Sequence, residues 1–372
     1  MKKLVFGAAA LSLTGLAFAN DSDWQALDQD IQALSASVQG LEGTGMNIGG
    51  RIRTFYNNSG DVTGGTNAQG QANDLGGFTV NNARLYAYGT TAQDIGYRLE
   101  IDFAGQGLLD AYLDIPVGGE ITARVGQFRA HVLRESLIDS GNLFFADRSA
   151  HASLFAGRSQ GLAVMGNFDA FDWAVTIQNG GDSVGDELFF AVRAGLDILG
   201  EGTDLIEGAY GASEEMEASA GIAYFSDEAT DDADGIAVEA SLATSQFSAQ
   251  AVILNLGEGV STSNADGNES YAAGGPFAGG LAALTGFADN TPFAIGGTFM
   301  LTEASSDYGA WEIGARFQDL DDDNSTRIID IGANYYADGH NLKYIINWTS
   351  FDSDAGASLD GDLIRVGVNA RF

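Results

Sequence analysis

Four arginines and two of the chain's three histidines fall between residues 129 and 160: Arg129, His131, Arg134, Arg148, His151 and Arg158. They sit in a 372-residue chain whose formal charge is -34. Their stretch carries only Glu135, Asp139 and Asp147 against four arginines, a balance of +1, whereas residues 161 to 372 hold six basic residues against 35 acidic ones, a balance of -29. In a narrow aqueous passage with low-dielectric walls, a few guanidinium groups set the local field because screening there is poor, so such a cluster can attract and orient anions. The same arginines can instead pair with Glu100, Asp102 and Asp110 and brace a stretch of backbone. Residue types alone leave both roles open.

Bond-making chemistry has little to work with. There is no Cys, and His131, His151 and His340 have no recognisable Ser, His and acid context, so no catalytic residue and no cofactor is expected. In DLDDDNST (319 to 326), Asp319, Asp321 and Asp323 alternate as calcium-loop ligands do, with Asp330 at the twelfth place, but the turn Gly and terminal Glu of that motif are missing. A solvated loop is the expectation there and in DEATDDAD (227 to 234), and no metal site is assigned. Acidic loops of this kind can also hold divalent ions that bridge neighbouring lipopolysaccharide. The glycine-rich GGTNAQGQANDLGG lacks the Lys and the strand-to-helix setting of a phosphate loop. No basic face suits nucleic acid.

The elements that must position the arginines follow from export and periodicity. MKKLVFGAAALSLTGLAFA has two lysines, an apolar run from Leu4 to Phe18 and small residues at Ala17 and Ala19, which reads as a signal peptide (1–19) cut after Ala19. That run is shorter than the ~20 apolar residues a membrane helix needs, and no later segment reaches that length. In residues 20–45, Trp24, Leu27, Ile31, Leu34, Val38 and Leu41 are spaced 3, 4, 3, 4, 3, the seam of a short coiled coil or of an amphipathic helix, placed in the periplasm. It is too short to assemble copies unaided.

From Met46 to Phe372 the period becomes two. In DIGYRLEIDF, Tyr97, Leu99, Ile101 and Phe103 share one face and Arg98, Glu100 and Asp102 the other, and WEIGARFQ and FDWAVTIQ alternate likewise. Aromatic residues near strand ends and charges in mid-strand suit strands that face lipid on one side and water on the other, better than a soluble sandwich. Sixteen such segments are expected: 46–57, 78–90, 94–103, 108–116, 119–128, 160–168, 171–179, 187–199, 216–226, 234–244, 246–256, 292–303, 308–319, 326–337, 340–351 and 361–372. The fold class is therefore all-β transmembrane, a 16-stranded antiparallel β-barrel with a short N-terminal periplasmic helix. Alternate connections are short (GTTAQD, GGE, ADGH) or long (58–77, 129–159, 257–291), as periplasmic turns and outer loops are. Parity puts Arg51, Arg53, Arg98 and Arg124 on lumenal faces.

The phrases GQF (126 to 128), LFFADRS (143 to 149) and GRSQG (157 to 161), with Glu135 between them, resemble the family of phosphate-selective porins O and P. So do ARLYAYGT (83 to 90), YRLEIDFA (97 to 104) and LLDAYLDI (108 to 115), so that the resemblance runs over roughly residues 46 to 200. It implies a Gram-negative outer-membrane porin and homotrimer, inserted by the barrel assembly machinery, which reads the final strand and its terminal Phe372, among outer-membrane lipid and lipopolysaccharide. Small solutes and ions would diffuse through it. The loop 129–160 would fold inward as a constriction, with Arg98, Arg124, Arg129, Arg134, Arg148, Arg158, Glu100, Asp102 and Asp110 as pore-lining residues. One departure matters: beyond the signal peptide Lys343 is the single lysine, so weak preference for anions such as phosphate is expected rather than strong binding. The competing class is a structural or adhesive barrel, closed by its loops, whose helix links envelope layers.

Overall fold

The computed structural model describes residues 45–59, 76–104, 107–180, 187–228, 233–257, 290–303, 309–322, 325–354 and 361–372. The signal peptide, the heptad segment up to residue 44, the glycine-rich stretch 60–75, most of the long connection 257–291 and the middle of both acidic runs lie outside the described residues. No helix among the described residues is long and apolar enough to cross a membrane.

Among the described residues, sixteen strands close into one barrel in which each strand pairs with its neighbours in sequence and β1 meets β16. They run β1 (Met46–Ser59), β2 (Gly77–Thr90), β3 (Gly96–Asp102), β4 (Gly107–Gly118), β5 (Ile121–Phe128), β6 (Ser159–Phe168), β7 (Phe171–Asn179) and β8 (Leu188–Leu199). The second half is β9 (Glu217–Asp227), β10 (Ala233–Ala243), β11 (Phe247–Leu256), β12 (Phe293–Met300), β13 (Ala310–Asp319), β14 (Arg327–Asp338), β15 (Leu342–Asp352) and β16 (Gly361–Arg371). The period-two reading located all sixteen. Its largest error is at β12, which stops at Met300 where the alternation predicted 303.

Closure is antiparallel, with Arg51 opposite Arg371 and Asn57 opposite Arg365. The backbone of Phe372 finishes the ladder: its N–H donates to the Gly50 carbonyl at 3.1 Å, and its carbonyl accepts from the Gly50 N–H at 2.9 Å. A closed barrel has no free edge, so every strand finds its backbone partners without water.

The outer face is apolar. Ile52, Leu113, Val125, Ile222, Ile295, Ile331, Ile346 and Val366 are all exposed. Aromatic pairs mark the strand ends: Tyr56 and Phe78 lie 5.1 Å apart and Phe293 and Phe317 5.8 Å apart at the loop end, and Trp311 and Tyr335 5.0 Å apart at the turn end. An apolar belt between two aromatic girdles is the surface that lipid requires.

The interior departs from the sequence reading, which placed polar residues and water behind every strand. One half of the barrel encloses an apolar core. Phe189 of β8, Phe225 of β9, Leu254 and Leu256 of β11, Ile328 of β14, Phe351 of β15 and Leu363 of β16 point inward and pack with Val132, Leu133, Leu154 and Phe155 of the β5–β6 connection. Burying each such loop side chain contributes about 1.5–3 kcal/mol, which drives the connection into the barrel instead of out into water.

Candidate constriction site

The inward connection runs from Arg129 to Arg158 and is stitched to the wall by its own short turns. The backbone N–H of Arg134 donates to both carboxylate oxygens of Glu239, at 3.0 and 2.7 Å, and opens a helical turn at Arg134–Leu137. Asp139 accepts from the Gly141 N–H at 2.9 Å and pairs with Arg51 and, at 2.7 Å, with Arg371. Ser149 caps a second turn, Ala150–Ser153, and gives its own N–H and hydroxyl to Glu135 at 2.6 and 2.8 Å. Across the lumen, Asn334 Nδ2 donates to the Phe144 carbonyl at 2.8 Å, Lys343 Nζ to the Leu143 carbonyl at 2.5 Å, and Arg365 pairs with Asp147. The Phe144 ring lies over Gly314 and Gly332, where added Cβ atoms would come within 2.7 and 2.9 Å of it, so a larger residue at either position would displace the ring.

A second segment enters from the opposite end. Residues 200–216, between β8 and β9, emerge on the side of the short turns, yet they fold up into the lumen and reach the loop from below. The Glu207 N–H donates to the Asn142 carbonyl at 3.1 Å, and Glu207 Oε2 accepts from the Phe144 N–H at 2.8 Å. Arg134 donates to the carbonyls of Asp204 and, at 2.8 Å, Ile206. Tyr210 stacks on Tyr336 at 4.0 Å, and the Ala209 N–H donates to Glu312 at 2.5 Å. Gly208 has φ of 109°, a conformation an L side chain rarely adopts, and a Cβ there would meet Glu312 at 2.7 Å. Loop and strap join at Arg316 of β13. Its guanidinium reaches Glu135 at 3.2 Å, Glu207 at 3.4 Å, Asp330 at 2.9 Å and the Asp147 carbonyl at 2.9 Å, and it lies over the Phe145 ring at 4.4 Å.

Loop and strap fill the side of the lumen walled by β9 to β16, and the open space lies against β3 to β8. A cavity of about 500 Å³ there is lined by Arg98, Glu100, Asp110, Tyr112, Arg124, Phe128, Arg129, His131 and Arg158, with Leu137, Asp139 and Asn142 of the loop and Leu205 of the strap. Toward the turn end a second space of about 300 Å³ is bordered by Asp114, Glu120, Asp172, Trp173 and Arg193. In the larger cavity Arg98 bonds Glu100 at 2.5 Å and Asp110 at 3.3 Å, and Arg158 shares Asp110 at 3.1 Å. Arg124 grips Asp114 with two bonds of 2.7 and 2.9 Å and stacks over Tyr112 at 3.9 Å. Burial, reinforced by Arg124 and Arg193, lowers the His131 pKa to about 3, so this histidine is neutral at pH 7 and the positive charge of the cavity comes from arginine alone.

Of the residues singled out in the sequence, Arg98, Arg124, Arg129, Arg158, Glu100 and Asp110 border one cavity, and Arg134, Arg148 and Asp102 do not. Arg129 lines it but also ties the two ends of the loop, donating to the carbonyls of Ala156 at 3.1 Å and Ile138 at 3.0 Å. Arg148 is fully buried and donates to the carbonyls of Glu135 at 3.4 Å and of Ile138. Asp102 faces Arg84 at 2.8 Å. Sequence reasoning passed over Arg84, Arg316, Tyr112 and the whole strap. The one signal for the strap was its length, seventeen residues on a side where most connections are short turns.

The strap carries a pH prediction. Burial raises the Glu207 pKa to about 7; Arg316 opposes the rise and Glu135, which shares that arginine, adds to it. A carboxyl whose folded pKa is raised contributes its full stability below the unfolded value, near 4.5, and loses it as pH climbs through about 7. Docking of the strap is therefore expected to weaken as pH rises from about 4.5 to about 7 and to stay level above that. The ratio of amide-exchange rates over residues 200–216, wild type to Glu207→Gln, should be flat below about pH 4.5, rise between about pH 4.5 and pH 7, and level off above that. A ratio independent of pH would show that Glu207 does not titrate there.

Comparison with known proteins agrees with this architecture. No curated protein matches the chain. Among solved structures, the outer membrane channel DcaP of Acinetobacter baumannii is 17% identical, with a TM-score of 0.52 over 88% of this chain and 97% of that one. A multiply substituted variant of Rh. blastica porin is 16% identical, with a TM-score of 0.53 over 88% of this chain and 100% of that one. The anion-selective porin from Comamonas acidovorans is 14% identical, with a TM-score of 0.50 over 88% and 99%. At these identities the likeness is one of fold. The family model of phosphate-selective porin O and P matches residues 46–189, the stretch that contains β1 to β7, the inward loop and every arginine of the larger cavity. Residues 46–189 thus match the model of the phosphate-selective porin O and P family, and the described residues form a closed sixteen-stranded barrel with the fold of these porins.

Proposed function

We propose that this protein is an outer-membrane channel through which small hydrophilic solutes diffuse, with a weak preference for anions set chiefly at Arg98 on the wall that it shares with Arg124 and Arg158. The observation that carries the preference is an asymmetry of exposure. The Arg98 side chain is 28% exposed, while the carboxylates that pair with it, Glu100 and Asp110, are 2% and 14% exposed. At Arg98 a permeating ion thus meets the guanidinium first and its counter-charge behind it, where the low-dielectric wall keeps screening poor, whereas at Arg124 and Arg158 the paired Asp114 and Asp110 are the more exposed partners. Because the arginines are paired, the net field is modest, and strong retention of phosphate is not expected. The reading includes a homotrimer among lipopolysaccharide, inserted by the barrel assembly machinery, with the 20–45 segment in the periplasm.

Single-channel recording of the purified protein in planar bilayers tests it. Steady, ohmic steps whose size grows with salt are expected, with a reversal potential slightly on the anion side in a potassium chloride gradient. A folded barrel that gives no conductance would favour the structural or adhesive class instead.

A further inference from the structure

The larger cavity is chemically two-faced. Its barrel wall offers Arg98, Arg124 and Arg158 beside the ring of Tyr112, which the Arg124 guanidinium overlies at 3.9 Å. Its inner face is built by the loop and the strap, and the polar side chain there with a formal negative charge, Asp139, is neutralised by Arg51 and Arg371. Two apolar side chains project from that inner face, Leu137 of the loop and Leu205 of the strap. Leu205 is 48% exposed although its carbonyl is fixed by Asn142 Nδ2 at 3.4 Å and its neighbours in the strap are tied down. Its backbone is held while its side chain is left in the open space. A passage for inorganic ions gains nothing from a leucine there, because apolar surface facing water is a cost that only an apolar partner removes.

Resting on the channel reading above, we propose that this cavity is a transit subsite for small organic anions with a flat apolar body, the class of aromatic monocarboxylates, and that Leu205 of the strap sets that preference. The carboxylate would meet the part-exposed Arg98 guanidinium, through N–H groups other than the Nε and Nη2 donors that bind Glu100. The ring would lie between Tyr112 and the leucines, gaining apolar contact on one face and an aromatic neighbour on the other. A volume of about 500 Å³ falls in the range of small-ligand sites, so the body of such an anion fits with room to leave. An anion without an apolar body, acetate or inorganic phosphate, would use the arginines alone.

The test uses the full mature protein in planar bilayers, with benzoate, acetate and inorganic phosphate added at matched ionic strength to a chloride-carrying channel. Benzoate should interrupt or reduce the chloride current at a concentration about tenfold lower than acetate or phosphate, the fold-change expected from burying part of a ring. Leu205→Ser should raise the effective benzoate concentration by about tenfold and leave the chloride-to-potassium reversal potential unchanged, whereas Arg98→Gln should shift that potential and weaken all three anions together. Leu205 makes no side-chain bond that holds the strap, and retained heat-modifiable mobility of Leu205→Ser will confirm that the barrel is intact. Benzoate no more effective than acetate, or a benzoate preference that survives Leu205→Ser, would overturn the subsite while leaving the channel standing. A protein that conducts nothing would remove the channel reading itself.

Discussion

Replacing Arg316 with alanine should release the loop and the strap together while the barrel stays closed. The guanidinium is 2% exposed and is shared by Glu135, Glu207 and Asp330, three carboxylates on three different segments. Its removal leaves those carboxylates buried with their common counter-charge gone, a loss of about 3–5 kcal/mol for a broken buried pair and the largest expected from any single substitution here. The strand ladders do not depend on it, since β13 holds β12 and β14 through the backbone from Phe293↔Asp319 to Ala310↔Tyr336. The expected signature is therefore local. Amide exchange should accelerate in residues 133–150 and 200–216 in parallel, with the strands still protected and the channel larger and noisier. Acceleration in the loop alone would mean that the strap is anchored by Tyr210 on Tyr336 and by Glu312, without Arg316.

Selectivity should respond to the wall arginines and not to the buried ones. With Arg98 and Arg124 both changed to glutamine, Glu100, Asp110 and Asp114 remain in the passage without those partners, so the reversal potential in a salt gradient should move clearly to the cation side. The shift should be large at about 0.1 M salt and shrink toward 1 M, where the Debye length falls from about 10 Å to about 3 Å. Arg148→Gln should leave the potential in place and raise the current noise, because that guanidinium is fully buried on the carbonyls of Glu135 and Ile138 and what it supplies is loop rigidity. A potential that moves with Arg148 and stays fixed with Arg98 and Arg124 would reverse the assignment of roles. The question raised by the arginine-rich stretch 129–160 thus divides by residue: Arg158 meets Asp110 at the passage, Arg129 and Arg148 tie loop backbone, and Arg134 holds the strap.

Alternation of side chains is a local property of an extended chain, so the sequence by itself determined the strands, their number and the face on which Arg51, Arg53, Arg98 and Arg124 lie. It also marked residues 126 to 161 as unusual, through charge and through the motifs shared with a porin family. Which arginine faces water and which faces a carbonyl was decided by tertiary structure. The bond from Arg316 to Glu135 spans 181 residues of chain, and nothing near either residue encodes the other. The apolar core inside the barrel was hidden for the same reason. Phe189, Phe225, Leu254 and Phe351 alternate as any strand residue does, and they are lumenal and dry only because Leu133, Leu154 and Phe155 arrive to cover them. The strap had no period of either kind to betray it. Residues 200–216 are held by hydrogen bonds, the ion pair of Glu207 with Arg316 and one aromatic stack, most of them to loop and wall residues far along the chain.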